Sequence, residues 1–211
     1  MSNPTTSTQY SVMTVGSAET NTVPVTMTSP IGGDFIRMGL TNIGGLAHKL
    51  TQTFRVTSAS QALAISYAVI LQESSHACIE QPYFNFVIKD SIGNVIGNSN
   101  THVTANSTPC SSGDPSFITF TNINNAIFEY KNWVTSNFSL QNYISTNVTV
   151  EFIAAGCINS LGAHPCYAYI DVSLCNNSFS PNILSVNTNT YNLLQSQNKI
   201  LVCGTNTATV I

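Results

Sequence analysis

Two glutamates and two histidines carry the chemistry open to this chain. Glu73, His76 and Glu80 share one polar stretch, Glu73-Ser74-Ser75-His76-Ala77-Cys78-Ile79-Glu80, and His164 stands in a second, Gly156–Pro165. Imidazole together with carboxylates can hold a divalent metal, or can orient a sugar hydroxyl through hydrogen bonds. The same groups can instead tie a long loop to itself by satisfying backbone donors and acceptors. Tyr67, Tyr83, Tyr167 and Tyr169 offer rings for a stacking platform, although aromatics on a pleated strand more often flank a core. The chain has no HExxH pair, no GxSxG elbow and no phosphate loop, and its nine carboxylates are spread thin. A Glu/His pair without a nucleophile or a cleft is not an active site, so the expectation is a protein that binds rather than catalyses.

The elements that would position these residues read as strands. Phe84, Phe86 and Ile88 alternate with Tyr83, Asn85 and Lys89, the period-2 pattern of a strand packed on one face. Leu63, Ile65, Tyr67, Val69 and Leu71 form a stripe of the same kind, with Ala64, Ser66, Ala68 and Ile70 opposite. The spacing predicts two antiparallel core strands, Leu63–Leu71 and Tyr83–Lys89, joined as a long-looped hairpin whose loop, 72–81, is where function would sit. Further strands are predicted at Val23–Met27, Phe35–Leu40, Lys49–Val56, Phe117–Phe120, Asn147–Ala154 and Tyr167–Leu174. The stretch 130–144 carries the lone Trp133, read as a core or edge anchor. Residues 97–116 and 155–165 read as long loops. No apolar stripe of period 3.6 is long enough for a helix. Eight or so strands with turns at short spacing predict an all-β, two-sheet antiparallel sandwich with long loops. Residues 1–30 form a lead-in with one edge strand, and residues 31–175 form the sandwich. Residues 176–211 form a linker with short strands, either an appendage or the start of a following module.

Composition narrows the class. Only 7% of the 211 residues are charged, against about 25% in an ordinary soluble domain, while Ser, Thr and Asn make up just over a third. Hydrophobic residues still reach 43%, in alternating runs, which argues for a packed core over disorder. A net charge of −3 offers no field for phosphates, so nucleic acid is not an expected partner. No run of about 18 apolar residues marks a membrane span. The N-terminus has no basic region followed by an apolar run and reads as the edge of a piece cut from something longer. Six cysteines (Cys78, Cys110, Cys157, Cys166, Cys175 and Cys203) occur without a CxxC pair. An even count in this composition favours disulfides and an oxidising, extracellular setting, with the pairing left open.

The ordered segments resemble a known family. Leu63–Leu71, Glu73-x-x-His76, Glu80-Gln81-Pro82-Tyr83-Phe84 and Asp90-Ser91-Ile92-Gly93-Asn94-Val95-Ile96 are similar to modules of large Bacteroidetes cell-surface proteins. Trp133-x-x-x-x-Phe138-x-Leu140-x-x-Tyr143-Ile144, Val148-Thr149-Val150-Glu151-Phe152 and Gly162-x-His164-x-x-Tyr167-Ala168-Tyr169-Ile170-Asp171 continue the likeness over roughly residues 33–175. Those proteins include gliding-motility adhesins and other cargo of the type IX secretion system. The resemblance implies a jelly roll akin to carbohydrate-binding and MAM-like modules. It also implies a cell-surface adhesin module that binds glycan or another surface polymer through loops 72–81 and 156–166, with Glu73, His76, Glu80, His164 and Tyr167 as contacts. The alternative is a structural spacer or a filament subunit that associates with copies of itself.

In jelly rolls of this kind an early loop and the last strand often ligate a structural calcium, which the resemblance places at Asp34 and Asp171. The chain departs from the family pattern at Ser74-Ser75, where an acidic residue and proline are usual. It departs again around His164, where Ala163 and Pro165-Cys166 replace glycine, phenylalanine and glycine. Cys78 and Cys166 are thereby added to equivalent loops, and their pairing would staple the loops together.

Overall fold

The computed structural model describes residues 10–14, 28–31, 33–39, 45–73, 77–105, 116–121, 125–159, 162–175, 177–179, 192–194 and 199–202. In chain order the strands are β1 (Tyr10–Met13), β2 (Phe35–Gly39), β3 (Ala47–Arg55), β4 (Ala62–Gln72), β5 (Tyr83–Lys89), β6 (Thr101–Thr104), β7 (Phe117–Thr121) and β8 (Ile127–Ser139). They continue with β9 (Asn147–Ala155), β10 (Cys157–Asn159), β11 (Gly162–His164), β12 (Cys166–Cys175), β13 (Asn177–Phe179), β14 (Asn192–Leu194) and β15 (Lys199–Val202). Among the described residues the only helical pieces are two short 3-10 turns, Cys78–Glu80 and Gln141–Tyr143. No described helix is long and apolar enough to cross a membrane, which says nothing of a β-barrel.

A six-stranded antiparallel sheet, ordered β1-β2-β12-β4-β8-β7, faces a four-stranded one ordered β3-β9-β5-β6. The central strands alternate between layers: β2, β4, β8 and β12 lie in the first sheet, and β3, β5, β6 and β9 in the second. The facing quartets β2-β12-β4-β8 and β3-β9-β5-β6 have the order of a jelly roll. The predicted all-β sandwich is therefore the observed architecture. β13, β15 and β14 pair with one another as a separate three-stranded sheet.

The periodicities explain the layers. β5 alternates buried and half-buried residues without a break, as does most of β9, so Phe84, Phe86, Ile88, Val148, Val150 and Phe152 line the inner face. Phe86 is the hub of this core, in ring contact with Tyr67, Phe84, Phe138 and Phe152. The predicted hairpin is corrected here. Leu63–Leu71 and Tyr83–Lys89 lie in opposite sheets, and the loop between them crosses from one layer to the other. The two apolar stripes meet as facing surfaces, with Tyr67 against Phe84 at 5.3 Å between ring centroids.

β4 is buried on both faces. Its outer residues Ala68 and Ile70 join Phe35, Phe128, Tyr130, Tyr167 and Tyr169 in a second apolar cluster on the far side of the six-stranded sheet. A bulge in β8 helps to build it. Between the pairs Tyr67–Val134 and Val69–Lys131 two residues, Asn132 and Trp133, stand opposite Ala68 alone. Asn132 Oδ1 accepts from Trp133 N–H (2.8 Å) and from Tyr130 Oη (2.6 Å). Trp133 packs edge-on against Phe35 at 5.5 Å, the anchoring role read from sequence.

Candidate functional site

Strand ends decide where the loops fall. Cys166 opens β12 opposite Leu71 at the end of β4, and Tyr83 opens β5 opposite Ala155 at the end of β9. The β4–β5 loop and the β10–β11 hairpin therefore share one pole of the sandwich. Backbone bonds join them to the sheets and to each other: Gln72 N–H donates to Pro165 O (3.0 Å), Glu73 N–H to Ile127 O (2.9 Å) and Gly156 N–H to Leu46 O (2.9 Å). Gly39 closes the joint. Its φ of +93° suits glycine, and a methyl group there would collide with the Cys166 carbonyl oxygen.

The loop residues divide by exposure. Glu73 is half-buried, whereas Glu80 is exposed on the 3-10 turn Cys78–Glu80. On the same turn Ile79 is 95% exposed, the most exposed of the large hydrophobic side chains among the described residues. His164 is half-buried, with Nδ1 3.4 Å from Cys157 Sγ across the hairpin. His76 lies outside the described residues, although the Glu73 and Ala77 ends of its segment belong to this pole.

Tyr167 departs from its expected role. It is fully buried in the outer aromatic cluster, edge-on to Tyr169, so no ligand can stack on its ring. A ring pair at this pole is the half-buried Tyr83 with the exposed His102, 5.1 Å apart on β5 and β6. Sequence reading missed His102 because β6 lies inside the stretch read as a loop. The available signal was the short alternation Thr101–Thr104, too brief to separate from its polar surroundings.

The sulfur chemistry also differs from expectation. Cys78 is disulfide-bonded, but Cys157 and Cys166 are thiols, so the predicted Cys78–Cys166 staple is absent. Cys110, Cys203 and the side chain of Cys175 lie outside the described residues. Cys166 still joins the sheets. From the six-stranded layer its buried Sγ donates to Tyr83 O (3.2 Å) in the four-stranded layer and meets Ala155 N–H, while burial pushes the thiol far above its ordinary range. A weak hydrogen bond takes the place of a covalent clamp because Cys166 points into the core, whereas Cys78 is exposed.

Extending the register Ile170–Ile36 sets Asp171 opposite Phe35, one residue from the exposed Asp34. Ser29 hydrogen-bonds Asp171, whose Oδ2 is buried and accepts no hydrogen bond. Burial raises the Asp171 carboxyl above its ordinary value, against the lowering effect of Ser29 and of the Val172 N–H. Among the described residues no three His, Cys, Asp or Glu side chains gather as a metal cluster.

No protein-family model and no curated protein matches the chain. Among solved structures, the enzymatically active domain of bacteriophage CBA120 tailspike protein 4 is 11% identical with a TM-score of 0.32, over 79% of this chain and 19% of that one. A mutant of xylanase 10C from Cellvibrio japonicus, in complex with xylopentaose, is 11% identical with a TM-score of 0.32, over 83% of this chain and 28% of that one. This chain thus spans a minor part of either, and likeness at that level carries no argument about fold or function.

Proposed function

We propose that this jelly roll is a non-catalytic, extracellular module of a surface adhesin, and that it binds a glycan or another surface polymer through loops 72–81 and 156–166. The observation that carries this reading is the Gln72–Pro165 bond, which lays the two loops side by side and sets Glu80 and His164 on one pole. Carboxylate and imidazole suit sugar hydroxyls, and the Tyr83–His102 pair supplies a ring edge nearby. A glycan array probed with the wild-type chain, with Glu80→Ala/His164→Ala and with Ser91→Ala at the opposite pole tests it. Retention of a glycan by the wild type and by Ser91→Ala, with a loss of about tenfold or more in the double variant, is the expected result. Binding that survives the double variant contradicts it.

Calcium belongs to the same reading. The Asp171 carboxylate and the Ser29 hydroxyl beside it offer oxygens, as calcium prefers, and a buried carboxylate oxygen without a donor is what a cation would satisfy. Asp171, Asp34 and Ser29 would hold the ion, which would pin the lead-in to the last strand of the sandwich. Thermal melts with calcium and with chelator decide this: the midpoint rises with calcium in the wild type and not in Asp171→Asn. Equal midpoints remove the ion.

A second reading, a spacer or self-associating subunit, has its own observation. The two most exposed large hydrophobics among the described residues, Ile79 (95%) and Ile92 (82%), sit at opposite poles, and a head-to-tail contact between them would propagate. Sedimentation that depends on concentration, and is lost in Ile92→Ala, would favour it over the first.

A further inference from the structure

We propose that Cys157 and His164 form a reactive thiol site that exchanges with a disulfide sulfur, a role that does not depend on whether the pole binds a glycan. Two buried thiols lie within the same ten residues of chain, and their partners differ. Cys166 is fully buried between the sheets, donates to the Tyr83 carbonyl and is held protonated by burial. Cys157 sits on a two-stranded hairpin outside both main sheets, 8% exposed, with an imidazole nitrogen 3.4 Å from its sulfur. That partner is fixed by the fold, because Cys157 and His164 are directly paired across β10 and β11. Side chains opposite one another in such a pair point to the same face.

An imidazole beside a thiol takes its proton and leaves a thiolate, the form that attacks disulfides. The Cys157 sulfur would attack one sulfur of a disulfide, forming a mixed disulfide, and the other sulfur would leave as a thiolate with the bond's electron pair. The Cys157 proton rests on His164 until solvent removes it, and no outside oxidant is required. His164 faces Cys157 directly. The other described titratable groups at this pole include Cys166, Glu73, Glu80, Glu129, Tyr83 and His102, with His48 on the adjoining β3 opposite Ala154. His48 is buried, and that burial works against its carrying a competing positive charge.

Methyl methanethiosulfonate, a small disulfide-like probe that releases methanesulfinate, tests the site in the folded chain, with labelled positions assigned by peptide mass spectrometry. Cys157 is expected to label rapidly and Cys166 only on unfolding. The Cys157 rate should be nearly flat between about pH 6 and 8, where an ordinary thiol slows about tenfold per pH unit. His164→Gln should restore that ordinary slope, slowing the reaction at pH 6 by about tenfold or more. Labelling of Cys157 no faster than Cys166, an ordinary slope in the wild type, or a slope unmoved by His164→Gln would each overturn the proposal. Should His164→Gln unfold, seen as rapid labelling of Cys166, the wild-type pH profile decides alone.

Discussion

The two poles of this sandwich end their strands in different ways. At the pole opposite His164 the turns close mainly through their own short polar side chains, and two of them also bond each other, Ser145 N–H to Val56 O (2.9 Å) and Leu140 N–H to Gln61 O (2.7 Å). Asp90 accepts from Ile92 N–H, Asn94 N–H and Asn94 Nδ2, contacts that hold its carboxyl below the ordinary value. Thr57 and Ser60 close their turn through side chains, and Thr146 Oγ1 donates to Tyr143 O (2.7 Å). At the His164 pole a long loop and a hairpin rest on each other, on Gly39 and on the Cys166 thiol. Turns closed by their own Asp, Thr and Ser side chains use up the polar groups they carry, whereas the longer loops of the His164 pole leave Glu80 and Ile79 exposed to solvent. On the proposed reading, scaffold work falls to one end and contact work to the other.

Glycine substitution should break the comparison most sharply. Gly39 and Gly93 share a positive φ, +93° and +91°, but only Gly39 is packed against backbone. In denaturant melts Gly39→Ala should cost about 3 kcal/mol or more, and Gly93→Ala about 1 kcal/mol, the strain of the conformation alone. Equal losses would mean that the Gly39–Cys166 joint is not tight. Ser99→Ala comes next. Its buried Oγ accepts from Ile88 N–H and donates to Ile88 O, so removing it should cost about 1–3 kcal/mol. A change within error would mean that the end of β5 is open to water. Cys166→Ala should cost about 1–2 kcal/mol, and Cys157→Ala, on the hairpin, less.

The smallest effect is on pH. Burial lowers the His48 pKa below its unfolded value, so the unfolded chain binds the extra proton, and this contribution to stability is lost as pH falls below about 6.5. Glu151 is also lowered, by hydrogen bonds from Lys89 and Lys49, but its window opens only below about 4.5. His48→Gln should flatten stability between those two pH values and leave the acid limb in place. A limb that shifts instead would assign the effect elsewhere.

Much of this fold was legible because period 2 states which residues share a face. The stripes of β5 and β9 read correctly for that reason, and Trp133 read correctly as an anchor. Periodicity does not say what covers a face. Tyr167 and Tyr169 read as rings for a platform or for a core flank, but the second apolar cluster that buries them on the outer side of the six-stranded sheet left no local mark. Nor does alternation choose the sheet, so Leu63–Leu71 and Tyr83–Lys89 read as a hairpin although they face one another across the core. The short pairs β6 and β10–β11 were lost among polar residues. The meeting of the two loops was legible from ordered motifs, whereas the thiol state of Cys157 and Cys166 depends on burial and direction, which spacing alone does not carry.

Amide hydrogen exchange on the wild-type chain, with and without a glycan retained on the array, asks most directly whether the His164 pole does the contact work. Added protection should concentrate in segments 72–82 and 156–166, with the turns at 57–60, 90–94 and 141–146 unchanged. Protection at those turns, or on the exposed face of the four-stranded sheet alone, would contradict it.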